Sequence, residues 1–211
     1  KGRQVPGDLL TAFLAKDVAA RHPGAPILLD VKSSEAAFRL VESAGAAAQI
    51  WKTGHSHMKK RIQELEAPLA GEMSGHIFIA DDYLGFDDAI YAAIRVITQM
   101  VRGGQSVTEF MDSLPEQHAT PELRIDCPDT VKFASMEKIR AHVLSRHDAA
   151  DVNSIDGVRV RSGNGWWLIR ASNTEAALVA RAEADDRTVL DRLLGDIETT
   201  LTAAGLDWKR P

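Results

Sequence analysis

The sequence predicts an α/β three-layer sandwich domain with a mixed, mostly parallel sheet, followed by an α+β domain with an antiparallel sheet. Two patterns lead to this fold class. In the first half of the chain, short apolar runs of strand length alternate with helical segments, as in layers built around a mostly parallel sheet. In the second half, three strand-like segments follow one another across short turns, which is typical of an antiparallel meander.

The first half of the chain begins with a helical pattern over residues 9–20, for which Asp8 is a candidate N-cap. Residues 1–8 look like a hairpin turn and strand without an initiator methionine, so we expect a fragment of a longer protein. Ser33 or Ser34 is a candidate cap for the second helix. The further expected elements are strands at 26–31, 48–51, 68–73 and 76–80, helices at 34–45, 57–66 and 87–101, and a short helix ending near 114.

A polar stretch at residues 116–121 predicts a boundary between two domains, residues 1–115 and residues 116–211. The second domain is expected to contain strands at 123–127, 157–161, 166–170 and 176–182, and helices at 133–146 and 186–204. In this domain strands neighbour each other along the chain, which favours antiparallel pairing.

The composition is that of an ordinary globular protein, with 45% hydrophobic and 26% charged residues. A net charge of -5 argues against nucleic-acid partners, which need a broad excess of Lys and Arg. The single cysteine, Cys127, excludes an internal disulfide and a cysteine-cluster metal site. No apolar run approaches the roughly 20 residues that span a bilayer. We therefore expect a cytoplasmic protein with no membrane partner.

The segment from Trp166 to Glu175 is an apolar run that ends at Arg170 and continues into Ser172, Asn173 and Thr174. A guanidinium offers a planar fork of donors for phosphate or carboxylate, and the following side chains add hydrogen-bonding groups in a turn. This combination is suited to a phosphate. The alternative is a plain turn, because these residues also bond their own backbone.

A second candidate loop runs from Gly71 to His76 and places Glu72 and Ser74 between two glycines. Glycine allows a close backbone approach, and a carboxylate can accept hydrogen bonds from two adjacent hydroxyls. A sugar diol requires this combination. The alternative is a β-turn that carries a glutamate by chance.

Other polar residues support weaker interpretations. His55 lies in the loop 52–56, where we expect Ser56 to cap the next helix. Lys32 follows a strand at the edge where open α/β sheets bind ligands, although a lone lysine there is usually solvated. The acidic pairs lack the spacing of a calcium loop, and helix N-terminal charge accounts for residues 87–88 and 185–186. We assign no metal ion to this chain.

Taken together, the loops at 71–76 and 170–175 resemble those of the α-D-phosphohexomutases, and in particular the bacterial phosphomannomutase/phosphoglucomutase group. Further matching segments lie at residues 30–32, 51–56 and 85–88, so the resemblance runs through the whole chain. It implies that residues 1–115 are the third domain of the family, with the tail of the second at about 1–7, and that residues 116–211 are the fourth.

The resemblance implies an intramolecular phosphotransferase that interconverts hexose 1-phosphate and hexose 6-phosphate through a glucose or mannose 1,6-bisphosphate. The phosphoserine loop and the Mg²⁺ loop of the family belong to the first two domains and are missing here. The resemblance therefore implies a chain that is inactive alone. Its expected partners are a hexose phosphate and the missing N-terminal domains, and a monomer is expected.

By the same resemblance, Glu72 and Ser74 hold the 3- and 4-hydroxyls of the sugar in both orientations of the bisphosphate. The phosphate that is not reacting contacts Arg170, Ser172, Asn173 and Thr174. Lys32 and His55 add contacts to the substrate, and His76 is a candidate general acid or base. One departure is Ala176, where the family often has proline. Two alternatives stay open: a stand-alone phosphosugar-binding module without catalysis, and a structural α/β protein with coincidental motifs.

Overall fold

The computed structural model describes residues 2, 4–208 and 210 of the chain. The chain divides into two compact units, Lys1–Leu114 and Pro115–Pro211. The hairpin expected at residues 1–8 and the domain tail expected at 1–7 include positions 1 and 3, which lie outside the described residues. Residues 4–6, which are described, form no strand.

The first unit is built around a four-stranded sheet in the order β2-β1-β3-β4. Strand β1 pairs in parallel with both β2 and β3, and β4 pairs antiparallel with β3. This arrangement confirms the predicted mixed, mostly parallel sheet. The strands are β1 (Pro26–Asp30), β2 (Ala47–Trp51), β3 (Leu69–Gly71) and β4 (Ile77–Ile79).

Helices cover both faces of this sheet. Ile27 and Leu29 of β1 belong to one apolar cluster with residues of the first two helices, whereas Leu28 belongs to another with Met58 and Ile62 of the third. Because successive strand residues point to opposite faces, one apolar run fills two cores and produces three layers. The helices are α1 (Gly7–Arg21), α2 (Glu35–Ser43), α3 (His55–Leu65), α4 (Ala89–Gly103) and α5 (Val107–Asp112).

Two predicted helix caps are wrong and one is confirmed. Helix α1 begins at Gly7 after Pro6, and Asp8 instead accepts the Ser34 backbone N–H at 2.6 Å from a fully buried position. Helix α3 begins at His55 after Gly54, so the expected cap Ser56 lies inside the helix. Ser34 does cap α2, since its Oγ accepts the backbone N–H of Ala36 at 3.1 Å.

The second unit contains a six-stranded antiparallel sheet in the order β5-β10-β9-β8-β7, with β6 also pairing with β10. The predicted antiparallel sheet is therefore confirmed. Its strands are β5 (His118–Ala119), β6 (Leu123–Asp126), β7 (Val152–Asn153), β8 (Val158–Arg161), β9 (Gly165–Ala171) and β10 (Ala177–Ala184). Its helices are α6 (Asp129–Leu144) and α7 (Arg187–Ala203), with a 3₁₀ helix at Ala149–Asp151.

Strand β9 is buried on both faces, as its apolar run predicts. Trp167 and Ile169 belong to the core cluster that includes residues of α6 and α7. Trp166 and Arg170 alternate with them and so point to the other face. There, the Arg159 guanidinium lies 3.7 Å from the centre of the Trp166 ring, in a cation–π contact. Both tryptophans are therefore buried, one on each face of the sheet.

Candidate functional site

Three loops of the first unit leave the same edge of its sheet. Strands β1, β2 and β3 are parallel, so their carboxyl ends, Asp30, Trp51 and Gly71, lie side by side. Lys32 and Glu72 lie in the loops that follow β1 and β3, and His55 is the first residue of α3, directly after the loop that follows β2. Open α/β sheets bind their ligands at this edge.

Asp30 connects the three loops. Its fully buried carboxylate accepts hydrogen bonds from Ser33 Oγ at 2.7 Å, Thr53 Oγ1 at 3.0 Å and the Met73 backbone N–H at 3.1 Å. Each donor belongs to a different loop. Sequence reasoning did not assign this role to Asp30, although a charged residue closing an apolar strand was a usable signal.

Lys32 is buried rather than solvated. Its side chain is only 7% exposed, and its Nζ lies 3.8 Å from Asp30 Oδ2. The solvated alternative considered for this lysine is therefore wrong. A buried ammonium close to the sheet edge supplies a fixed positive charge, because burial next to a carboxylate keeps both groups in place.

Glu72 is the buried carboxylate of the next loop, with 2% of its surface exposed. It accepts the Gly54 backbone N–H at 3.0 Å and the Ser74 hydroxyl at 3.4 Å. Burial and the nearby Asp30 charge raise the pKa of Glu72, and the Gly54 N–H, His76 and Lys32 only partly oppose this rise. A carboxylate with so few donors has capacity for further hydrogen bonds from a ligand.

The Glu72 loop is also a tight turn, so the two interpretations of its sequence are compatible. The Glu72 N–H donates to the His76 carbonyl at 2.9 Å, and the Gly75 N–H donates to the Glu72 carbonyl at 3.0 Å. Gly75 has a φ of 104°, which only glycine adopts easily. The turn leaves Ser74 exposed and Glu72 buried, so the two predicted sugar contacts lie next to each other.

His76 and His55 lie beside Glu72 and share one carboxylate. His76 Nδ1 donates to Asp87 Oδ2 at 2.6 Å, and His55 Nε2 lies 3.9 Å from the same oxygen. The two imidazole rings pack edge to face, with their centroids 4.1 Å apart. The helix-terminal explanation of residues 87–88 holds for Asp88, which caps α4, whereas Asp87 has the additional role of binding His76.

The second unit presents Arg170 near the end of β9. The Arg170 Nε donates to Asp156 Oδ2 at 3.0 Å, and the residue is only 4% exposed. Its Nη2 is buried and has no hydrogen-bond partner among the described residues. A buried guanidinium nitrogen without an acceptor is costly, and an anionic ligand would satisfy it.

Gly157 explains how Asp156 reaches Arg170. A Cβ atom at Gly157 would overlap the Ile169 carbonyl oxygen and the Arg170 backbone, and its φ is 81°. The glycine therefore lets the loop before β8 lie directly against β9. Neither Asp156 nor this approach was predicted, although a glycine that opens a strand was a signal for one.

The loop after β9 is ordered from within. Ser172 Oγ accepts the backbone N–H groups of Glu175 at 3.1 Å and Thr174 at 3.4 Å. The buried Lys132 donates its Nζ to the carbonyls of Ser172 at 3.0 Å and Glu175 at 2.9 Å. The turn interpretation of Ser172 thus holds, while Asn173 and Thr174 are exposed. Nothing in the local sequence of α6 indicated Lys132.

The predicted site residues thus form two groups, one in each unit. The first unit brings together Lys32, His55, Glu72, Ser74 and His76, and the second brings together Arg170, Ser172, Asn173 and Thr174. Asp30, Asp87, Asp156 and Lys132 join these groups as residues that sequence reasoning missed. Among the described residues, no helix combines the length and the apolar character needed to cross a membrane.

Both units match defined protein families. Residues 6–118 match "Phosphoglucomutase/phosphomannomutase, alpha/beta/alpha domain III", and residues 122–200 match "Phosphoglucomutase/phosphomannomutase, C-terminal domain". The chain is 42% identical over 194 residues to a phosphomannomutase/phosphoglucomutase of Pseudomonas putida, covering 92% of this chain and 42% of that protein. It is 36% identical over 181 residues to a phosphoglucomutase of Neisseria gonorrhoeae, covering 86% and 39%.

The fold is similar to solved structures as well. A phosphoglucomutase/phosphomannomutase family protein from Burkholderia thailandensis superposes with a TM-score of 0.84 at 36% identity, over 98% of this chain and 44% of that one. An N-acetylphosphoglucosamine mutase of Aspergillus fumigatus, solved with GlcNAc-6P and magnesium, shares the fold with a TM-score of 0.66 at 14% identity, over 94% and 47%. The chain spans less than half the length of each of these proteins.

Proposed function

The chain belongs to the phosphoglucomutase/phosphomannomutase family, and we propose that it is the substrate-binding part of a phosphohexomutase. The parent enzyme interconverts hexose 1-phosphate and hexose 6-phosphate through a hexose 1,6-bisphosphate that turns over in the site. The observation that carries the proposal is the buried Arg170 Nη2 without an acceptor, in a chain whose named relatives are phosphomannomutases and phosphoglucomutases.

Arg170 binds the phosphate that is not reacting. Asp156 holds its Nε, which fixes the plane of the guanidinium, and Nη2 has no acceptor of its own among the described residues. A small outward shift of the side chain brings Nη2 to a phosphate oxygen. Asn173 and Thr174 are exposed on the adjoining turn and add hydrogen bonds, while Ser172 and Lys132 keep that turn in shape. A phosphate carries a charge of roughly -1.5 to -2 near neutral pH, which a buried cation binds well.

Glu72 and Ser74 bind the sugar ring. The carboxylate accepts from two adjacent sugar hydroxyls, which exchange places when the bisphosphate turns over, so the same contacts serve both orientations. Its raised pKa reflects a buried charge with few donors, and sugar hydroxyls supply the missing ones. Lys32, held beside Asp30, adds positive charge at the same edge of the sheet.

His76 and His55 complete the substrate contacts. Asp87 accepts a hydrogen bond from His76 Nδ1, so His76 Nε2 is the nitrogen that exchanges a proton with a sugar hydroxyl. Binding energy from the remote phosphate orients that hydroxyl for attack, which is how positioning accelerates phosphoryl transfer.

The Mg²⁺ of the proposed parent enzyme does not fit the residues described here. Among residues 2, 4–208 and 210, the group able to hold an ion contains two imidazoles and one carboxylate, whereas Mg²⁺ prefers an octahedron of oxygens. We propose that the metal loop and the phosphoserine lie in other domains of the parent enzyme, a cytoplasmic monomer. This chain alone then binds substrate without turnover.

The test is calorimetric titration of the chain with glucose 1-phosphate and mannose 1-phosphate, with a turnover assay alongside. We expect binding of both sugars and no turnover. Arg170→Ala weakens binding by at least about 1 kcal/mol, because it removes charge-assisted hydrogen bonds. Arg161→Ala is the matched control, since Arg161 is an exposed arginine paired with Asp151. Equal affinities for the two variants would contradict the proposed phosphate site, and turnover by the chain alone would contradict the assignment of catalysis to other domains.

A further inference from the structure

Three potential metal ligands converge beside Glu72 from three different parts of the chain. His55 opens α3, His76 precedes β4, and Asp87 precedes α4. Each offers one ligand atom, and the three atoms lie within 4.8 Å of one another. The side chains are 46%, 41% and 24% exposed, so an ion can reach them from solvent.

Two of the three ligand spacings lie close to that of a small tetrahedral ion. Zinc bonds of about 2.0–2.2 Å place neighbouring tetrahedral ligands about 3.3 Å apart. Asp87 Oδ2 lies 2.6 Å from His76 Nδ1, which is shorter than that spacing, and 3.9 Å from His55 Nε2, which is longer. Side-chain shifts of less than about 1 Å would bring both pairs to it. The ion would take the place of the proton that His76 and Asp87 share.

The three side chains are held in place by the fold. The Asp87 backbone pairs with Phe78 of β4, and Asp87 Oδ1 accepts the Ile77 N–H at 3.4 Å. The His55 ring packs edge to face against the buried Phe78 ring at 5.8 Å. Ligands that are ordered before the ion arrives lose little freedom when it binds.

We propose that His55, His76 and Asp87 form a binding site for a divalent transition-metal ion, Zn²⁺ in particular. Two imidazoles and one carboxylate favour Zn²⁺ over Mg²⁺, and three protein ligands leave one position open to solvent. The Glu72 carboxylate interacts with His76 and adds negative charge nearby. The ion competes with phosphosugar, because it takes up Nε2 of His55, whose imidazole contacts the sugar; this consequence rests on the proposed function.

Cobalt is the probe for the site itself. Chelator-treated protein is titrated with Co²⁺, and the visible absorption of four-coordinate Co²⁺ is followed until Zn²⁺ displaces it. We expect one ion per chain, and a loss of affinity of at least about tenfold in His55→Gln and in Asp87→Asn. The controls are His142→Gln, which lies on α6, and Asp82→Asn, whose carboxylate is 87% exposed.

Circular dichroism of each variant confirms that it is folded before titration. Unchanged Co²⁺ affinity in folded His55→Gln or Asp87→Asn overturns the site, as does the absence of a four-coordinate spectrum in the unaltered protein. Competition is tested separately by titrating glucose 1-phosphate with chelator and with saturating Zn²⁺. Equal sugar affinity in both overturns the competition, whereas no sugar binding in chelator contradicts the proposed function and leaves the metal result standing.

Discussion

Asp81 and Glu72 are both buried carboxylates that follow paired strands, but Asp81 is bonded by arginines whereas Glu72 lies close to a second carboxylate. Asp81 follows β4 and contacts two arginines and a histidine: Arg21, Arg95 at 3.1 Å and His22 at 2.8 Å. Glu72 follows β3, has one backbone N–H and one hydroxyl as donors, and lies near the Asp30 carboxylate. Because β3 and β4 are antiparallel, the two carboxylates lie at opposite edges of the sheet.

The two pKa values move in opposite directions for reasons that the geometry explains. Burial raises the pKa of Asp81, but hydrogen bonds from His22, Arg21 and Arg95 outweigh it and leave the pKa below its ordinary value. Burial raises the pKa of Glu72 as well, and Asp30 raises it further. A carboxylate neutralised within the fold stabilises the fold, whereas one left short of donors is available to a ligand.

The largest effect is expected from neutralising Asp81. Asp81→Asn leaves Arg21 and Arg95 with less compensation, and we expect the free energy of unfolding to fall by about 3 kcal/mol, as for other broken buried ion pairs. Urea unfolding followed by circular dichroism measures it. Asp82→Asn, which changes the exposed neighbour, should alter stability by less than about 0.5 kcal/mol. Similar losses of stability in both variants would contradict a stabilising role specific to the buried Asp81.

Acidic pH should reduce the stability difference between the unaltered protein and Asp81→Asn. The folded pKa of Asp81 is lowered, so its stabilisation is complete above the ordinary value of 3.8 and is lost as pH falls through the folded pKa. The difference in the free energy of unfolding between the unaltered protein and Asp81→Asn should therefore become smaller below about pH 4. It should lose part of the value that it has at neutral pH. Unfolding curves between pH 3 and pH 7 test this, and a gap that stays constant would contradict it.

Glu72→Gln should weaken ligand binding. A glutamine oxygen can keep the Gly54 N–H, but the side chain loses the charge that strengthens its bonds to sugar hydroxyls. We expect about tenfold lower affinity for glucose 1-phosphate, or about 1.4 kcal/mol, by calorimetry. Glu64→Gln on α3 is the control, because Glu64 is partly exposed and pairs with Arg61. Equal affinities in the two variants would exclude Glu72 from the sugar site.

The smallest effect is a gain in stability from the same Glu72→Gln variant. The folded pKa of Glu72 lies above the ordinary 4.5, so the folded protein loses stability as pH rises through that pKa, and glutamine does not titrate. The variant should equal the unaltered protein near pH 4 and exceed it by up to about 1 kcal/mol at pH 8, or about 2–4 °C in Tm. Thermal unfolding at both pH values measures the gain. A loss of stability in the variant at pH 8 would mean that the Glu72 carboxylate stabilises the fold, as the Asp81 carboxylate does.

Sequence reasoning recovered most of the elements because their signals are local. The run at residues 26–31 has the length and composition of a buried strand, and Ser34 lies where a cap is needed. The strands at His118–Ala119 and Val152–Asn153 were missed. A two-residue strand is too short to show an alternating hydrophobic pattern, and it is defined only by its pairing with a neighbouring strand.

The missed parts of the candidate site depend on contacts between distant residues. In the sequence, Asp87 is explained by its position next to a helix N-terminus, and only the fold places it in contact with His76. Lys132 reaches a loop 40 residues further along, which no local pattern indicates. Arg170 and Glu72 were predicted because glycines and an abrupt end to an apolar run mark their loops. The burial of Lys32 was missed because depth depends on the neighbouring loops.

Asp30 has a consequence for how the loops move. One carboxylate bonds to Ser33, Thr53 and Met73, so the loops after β1, β2 and β3 cannot open independently without leaving that buried charge short of donors. They form a single cooperative unit in which order is gained or lost together. The amide of Met73 should exchange its hydrogen with solvent only when all three loops lose their hydrogen bonds to Asp30. A sugar that binds to one loop should therefore slow amide exchange in the other two.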